Sequence, residues 1–330
     1  MMLHFWILAA ALLLDWVLAD PWGWLHPVQV MGWFIHKGQG MILAHCSTAR
    51  QQSWAGTGLL LILGVGSFGY AAGLIELGRI LHPLLGFLIH TILLASCLGA
   101  RSLRLAALDV LAPLQQGDLV TARQMLSRIV GRDTDHLQET EILRALVETV
   151  AENTPDGATA PLFYAALGGA PLAFAYKAVS TLDSMIGYRR EPFTHLGRAS
   201  ALFEDRVTWI PCRLTVATLA LWSGQPYQFW QACQQEAHLD PSPNSGWSEA
   251  AFARILGVQL GGVNVYHGTP REKPKLGVAH HPLTPHTVLA SLTLLRRIML
   301  SWIGVIGIGV ASLSWIAQQS LAAGLIKLFQ

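Results

Sequence analysis

The chain has 330 residues, enough for one large or two ordinary domains, and only 13% of them are charged against 52% apolar. Ordinary globular proteins carry about 25% charged residues. The deficit, with a mean hydropathy of +0.41, argues against a soluble domain and for an integral membrane protein. A net charge of +2 without any basic run gives no footing for a nucleic-acid partner.

The first apolar stretch, 2–19, carries no Lys or Arg ahead of it, so it reads as a retained membrane helix rather than a cleaved leader. Its Asp15 is expected to face other helices and not lipid. Asp20-Pro21 and His26-Pro27 follow as a rigid exit turn or as part of a site. Further spans of adequate length are expected at 55–77, 84–100 and 298–317. Two weaker stretches, 159–180 and 207–222, are re-entrant elements or additional spans. Of the 22 basic residues, 18 lie from Arg101 to Arg297. The positive-inside tendency therefore favours four spans with 101–297 as one cytoplasmic region. The fold class expected is all-α: a multi-span helical bundle forming a single membrane-embedded domain over 1–330, with cytoplasmic helical and loop insertions.

Within 101–297 an amphipathic helix runs from Arg101 to the Pro113 stop, and Asp118 caps a helix over 119–130. Another opens at Thr134 or Asp135 and runs to Glu152. There Asn153-Thr154-Pro155-Asp156-Gly157 is expected to break it. The stretch 240–246 reads as loop, 247–256 as a short helix and 260–269 as a Gly-rich loop.

Ionisable and amide groups punctuate the apolar segment 148–190. Glu148 and Glu152 share a helix face, and Asn153 and Asp156 follow at its end. Carboxylates at that spacing repel, and a helix C-terminus disfavours anions. A magnesium ion held by Glu148, Glu152 and Asp156 would remove both objections; a solvated acidic face is the plainer alternative. Lys177 is either a snorkelling lysine or a phosphate ligand. Thr181, Asp183 and Tyr188 add donors and acceptors within three turns. Arg132, beside Asp133, is a surface ion pair or an anion clamp. Ser242 and Asn244 sit in a loop that is a plain turn or an anion cradle. Cys46, Cys97, Cys212 and Cys233 form no CxxC pair, and the 13 histidines make no HxxxH or HExxH, so a zinc site has no support. No Walker-type loop and no GxSxG motif is present.

Taken together, DWVLADPWGWLHPVQVMGWFI, VGRDT, ETVAENTPDG, APLFYAALGGAPLAFAYKAVSTLDSMIGY, SPNSGWSEAAFARILGVQLGG and NVYHG resemble, in order, the integral membrane adenosylcobinamide-phosphate synthases of cobalamin biosynthesis, the CobD/CbiB family. The resemblance covers about 15–268. It implies an ATP- and Mg²⁺-dependent ligase at the bacterial inner membrane that joins adenosylcobyric acid to (R)-1-amino-2-propanol O-phosphate. It also implies a cytoplasmic site and, as possible partners, other late membrane enzymes of the pathway. On that reading Lys177, Arg132 and Asp183 act in catalysis, and Glu148, Glu152 and Asp156 hold the metal. Asn153, Thr181, Tyr188, Ser242, Asn244 and His26 bind substrate or nucleotide. Two departures stand near the presumed substrate loops: Asp240 where relatives often have His, and Arg206-Val207-Thr208-Trp209 after Glu204-Asp205. A transporter and a non-catalytic regulatory relative are the competing readings; the former predicts internal repeats, and none is visible.

Overall fold

A computed structural model describes residues 2–18 and 27–328. Twelve helices and one two-stranded sheet are found among these residues. The first five helices are α1 (Met2–Leu18), α2 (Pro27–His45), α3 (Ala49–Leu81), α4 (Pro83–Ala95) and α5 (Ala100–Gln115). The rest are α6 (Leu119–Leu126), α7 (Glu139–Thr154), α8 (Ala160–Ile186), α9 (Arg198–Trp222), α10 (Pro226–Ala237), α11 (Ser245–Leu256) and α12 (Pro285–Leu328). The strands are β1 (Leu260–Tyr266) and β2 (Thr269–Leu276). The molecule is an all-α membrane protein. Among the described residues, four helical runs are long and apolar enough to cross a bilayer: Ala49–Leu81, Pro83–Gln115, Glu139–Ile186 and Pro285–Trp315.

Local chemistry sets the boundaries. Thr48 and Gln51 form a reciprocal capping box at the start of α3. Pro83 opens α4 while His82 Nδ1 accepts from the Leu84 amide at 3.1 Å. Asp118 caps α6 through the Thr121 amide at 3.0 Å, as expected, but α6 ends at Leu126, before the expected 130. Helix α7 starts at Glu139, later than Thr134 or Asp135, because the Gln138–Glu141 capping box lies there.

Two cores result. One joins α1, α3, α4 and α8 with Met31 and Ile35 of α2, and its outward face is apolar: Leu61, Ile62, Val65, Ile80 and Leu84 are all exposed. The other gathers α5–α7, α9–α11, the two strands and the start of α12. Leu103 and Trp302 pack against both.

The region after α7 departs from expectation. Residues 153–157 do not break the helix. They lead into a widened π turn, Pro155–Thr159, that carries the chain straight into α8. Proline lacks an amide hydrogen and cannot continue the α ladder; a π turn absorbs one extra residue instead. The turn is anchored from outside: the Gly99 amide donates to the Gly157 carbonyl at 2.8 Å, and the Thr159 and Thr215 hydroxyls meet at 2.7 Å.

Helix α8 is itself folded back. Gly168 and Gly169 are non-helical, with φ 68° and ψ −163° at Gly169. The rings of Tyr164 and Tyr176 stack at 5.1 Å, whereas 12 residues of straight helix would separate them by about 18 Å. The segment 159–180, read from sequence as re-entrant or as an extra span, is therefore a helical hairpin with its tip at Gly168-Gly169. Two histidines serve the backbone groups that the tip releases. His90 Nε2 accepts from the Ala170 amide at 2.9 Å, and His4 Nε2 meets the Ala166 carbonyl at 3.1 Å. Irregular backbone among apolar helices persists only where such partners exist. Gly169→Ala is expected to destabilise the fold by about 1–3 kcal/mol. The φ and ψ there suit only glycine, and an added Cβ would lie 2.7 Å from His90 Nε2. A thermal melt in detergent, compared with Gly66→Ala, where a Cβ meets nothing within 4 Å, reads the difference.

Residues 260–269 are not a loop. β1 pairs antiparallel with β2 through Val263–Glu272 and Tyr266–Thr269, across a His267-Gly268 turn with positive φ at both positions. The register shift between Leu260 and Gly262 is a bulge. The segment 207–222 is the second half of α9, a helix that begins at Arg198 and carries Glu204, Asp205 and Arg206.

Candidate active site

The hairpin fold brings the distant ends of its sequence to one place. Asp156 lies on the π turn that enters the hairpin; Lys177 and Asp183 lie on the arm that leaves it. Asp156 is in the electrostatic field of Glu204, Glu152, Asp183 and Lys177. Lys177, Asn153, Thr149, Gly157, Ser96 and Ser102 line a cavity of about 480 Å³ at this base. Asn153 donates to the Thr149 carbonyl at 2.9 Å, which leaves its amide oxygen for a ligand.

Helix α9 closes the base with two carboxylates. Glu204 is buried, accepts from the Thr208 hydroxyl and meets the Tyr176 hydroxyl at 3.5 Å. Burial pushes Glu204 up to about 7; the Thr208 hydrogen bond opposes the rise, and the like charges of Asp183 and Asp205 add to it. Asp205 is also raised by burial, against the pull of Arg189 and Arg206. Neither Glu204 nor Asp205 was singled out as a site residue from sequence. The signal was present, since an adjacent acidic pair lies within α9 ahead of its apolar second half, but its proximity to Asp183 is tertiary.

The expected metal set does not assemble as proposed. Glu148 is 1% exposed, and its oxygens are already used. Oε2 pairs with Arg132, while Oε1 accepts from the Gly261 amide at 2.8 Å with Arg144 at 3.9 Å. Arg132 also donates to Asn264 Oδ1 at 2.8 Å, so it ties the 131–134 loop to β1 rather than facing the cavity. Glu148 and Arg132 are thus anchors of the β-hairpin. Among the described residues no three acidic, His or Cys side chains stand close enough to hold a metal together. Glu152 and Asp156 remain. Magnesium commonly binds proteins through one or two carboxylates, with water and phosphate oxygens completing its shell. Glu152 lies within the field of Asp156, and those two residues fit that pattern.

The remaining candidates divide. Thr181 donates to the Lys177 carbonyl at 2.7 Å, and Tyr188 to the Ser184 carbonyl at 2.8 Å, so both hydroxyls are engaged within their own turn. Ser242 Oγ accepts from the Asn244 and Ser245 amides at 3.3 and 3.2 Å, which closes the expected anion cradle from inside. Asn244 is buried and fully engaged: Arg213 donates to its Oδ1 at 2.7 Å, and its Nδ2 donates to the Asp205 carbonyl at 2.9 Å. The loop therefore positions Asp205, while Asp240 holds the loop through the Ser242 amide at 2.8 Å. His26 lies outside the described residues. A second ion pair joins the buried Glu249 to the half-buried Lys273 at 2.6 Å, within the field of Glu152; Lys273 lies on β2, for which the sequence reading offered no element.

The fold and site define a polytopic helical protein that assembles several carboxylates, Glu204 buried among them, and a lysine at the base of a folded-back helix. The CobD/CbiB protein family model matches residues 8–295. The chain is 49% identical over 314 residues to "Cobalamin biosynthesis protein CobD" of Synechocystis sp., covering 92% of this chain and 91% of the relative. It is 41% identical to "Cobalamin biosynthesis protein CbiB" of Salmonella arizonae, over 86% and 91% of the two chains. The CobD protein of Halalkalibacterium halodurans is also 41% identical, over 91% and 94%. No solved structure matches. The chain belongs to the CobD/CbiB family, a family of cobalamin biosynthesis proteins. Nothing in the fold or the relatives favours a transporter.

Proposed function

We propose that the protein is an ATP-dependent carbon–nitrogen ligase of the bacterial inner membrane with its site facing the cytoplasm. It condenses the free carboxylate of adenosylcobyric acid with the amine of (R)-1-amino-2-propanol O-phosphate, giving adenosylcobinamide phosphate, ADP and phosphate. The observation that carries the reading is the return of Lys177 and Asp183 to Asp156 beside an open cavity. The names of the relatives supply the pathway.

A carboxylate does not react with an amine at neutral pH, so it must first be activated. Its oxygen attacks the γ-phosphorus of ATP, the bond to ADP breaks, and an acyl phosphate forms. The amine nitrogen then attacks the acyl carbon, the carbon–oxygen bond to phosphate breaks, and phosphate leaves with its electron pair. Lys177 offsets charge on the transferring phosphoryl group. Glu152 and Asp156 would hold magnesium, which supplies charge neutralisation at the nucleotide phosphates. The amine proton passes to a carboxylate at the base, Asp183 or Glu204.

Purified protein in detergent, given ATP, Mg²⁺ and both other substrates, should release ADP and phosphate only when both are present. Release of ADP that ignores either substrate would sink the ligase reading. Glu204 adds a pH test. Its raised pKa means that the folded state keeps this proton while the unfolded state has lost it. Glu204 therefore costs stability progressively as pH rises from about 4.5 to about 7, and becomes an available base above about 7. The kcat/KM profile is expected to rise through a limb near 7, and Glu204→Gln should abolish that limb while improving stability at pH 8.

A further inference from the structure

A basic pocket sits where the apolar belt of the molecule ends, across the start of α5 from the cavity of the proposed site: Arg101 and Arg104 line the one, Ser102 and Leu103 the other. The end of α1, the start of α5 and the start of α12 enclose a cavity of about 260 Å³ lined by Trp16, Arg101, Arg104, Leu292, Leu295 and Arg296. Arg101 is fixed by donating to the Trp16 carbonyl, and its Nε is buried with no hydrogen-bond partner. The Arg296 guanidinium lies over the Trp16 ring at 5.2 Å. Asp15, the neighbour of Trp16, is buried and already engaged. Among the described residues, counting its charge against the pocket still leaves three guanidinium groups to one carboxylate.

The pocket's position narrows the ligand. Exposed apolar side chains lead up to it along α1, at Leu13 and Val17, and lead away from it along α12, at Leu300, Val305 and Ile308. The arginines thus stand at the rim of the lipid-facing surface, and Trp16 is the residue type that favours that level. Several guanidinium groups around one cavity suit a phosphate, which they can grip bidentately. Basic pockets between membrane helices hold anionic headgroups in this way. We propose that this pocket binds the phosphate-bearing headgroup of an anionic phospholipid, independently of the ligase site.

The test offers the purified full-length protein equimolar phosphatidylglycerol and phosphatidylcholine in mixed micelles and reads the retained lipid by native mass spectrometry. Wild type is expected to retain phosphatidylglycerol preferentially. The double variant Arg104→Gln, Arg296→Gln should weaken that preference about tenfold. Arg297→Gln should keep it, because Arg297 lines a different cavity. Persistence of the preference in excess inorganic phosphate, at ionic strength matched with sodium chloride, supports a lipid. Displacement by inorganic phosphate but not by sodium chloride assigns the pocket to a soluble phosphate compound and overturns the proposal. Equal retention of both lipids by wild type overturns it whether or not the double variant folds.

Discussion

Lys177→Ala is expected to lower kcat by about 10²-fold or more while leaving the melting temperature near that of wild type. The size follows from charge. Phosphoryl transfer from ATP to a carboxylate brings anionic oxygens together, and Lys177 is the cation whose side chain lines the cavity beside the π turn. The small stability effect follows from the same geometry, since Lys177 is only half-buried and no ion pair holds it among the described residues. Lys177→Arg should recover part of the rate, because a guanidinium keeps the charge but displaces it. ADP release under saturating substrates, with a melt of each variant, separates the outcomes. Turnover of Lys177→Ala within about threefold of wild type would place the chemistry elsewhere. The comparison with Asp156→Asn is informative. If Asp156 helps to hold magnesium, its loss should raise the magnesium concentration needed for half-maximal rate, whereas Lys177→Ala should lower the plateau.

The parts legible in the sequence are those written in composition and in local signals. The apolar stretches predicted three of the long helices, and Asp118 marked the start of α6. The polar punctuation of 148–190 contains Asp156, Lys177 and Asp183, the residues that the hairpin brings together at its base. What was hidden depends on contacts between residues far apart in the chain. Pro155 looked like a stop because proline ends an α ladder; that a π turn could absorb it depends on Gly99 and Thr215 anchoring the turn. The fold-back at Gly168-Gly169 depends on His4 and His90, distant residues that serve the freed backbone groups. The strand pair 260–276 was obscured by the glycines of its bulge and by Pro270 and Pro274, which suit an edge but dilute the alternating pattern. Missing β2 also hid Lys273. Missing the role of β1 left Glu148 looking like a metal ligand.

Glu148→Gln is expected to act on folding rather than on the metal, with a loss of about 3–5 kcal/mol. In sequence, Glu148 and Glu152 are equivalent members of one acidic face. In the fold they are opposites: Glu152 is exposed, while Glu148 sits between the guanidinium groups of Arg132 and Arg144, whose side chains are only 8% and 11% exposed. Neutralising Glu148 leaves those two positive charges buried without their counter-ion and weakens the bond to the Gly261 amide that docks the bulge. Breaking one side of a buried ion pair costs more than the pair itself contributes, because the remaining charge has lost its water and gains nothing in return. The β-hairpin should then detach from α7, which protease accessibility near Gly261 would register. Replacing both Arg132 by methionine and Glu148 by leucine should cost less than Glu148→Gln alone, since one charge of each sign leaves together. The metal-ligand alternative predicts the reverse pattern. A Glu148→Gln variant that melts like wild type but needs far more magnesium for turnover would restore Glu148 to the metal site and refute its role as an anchor. Glu152→Gln serves as the internal contrast, because an exposed carboxylate near Asp156 should change the magnesium requirement and leave the melt unchanged.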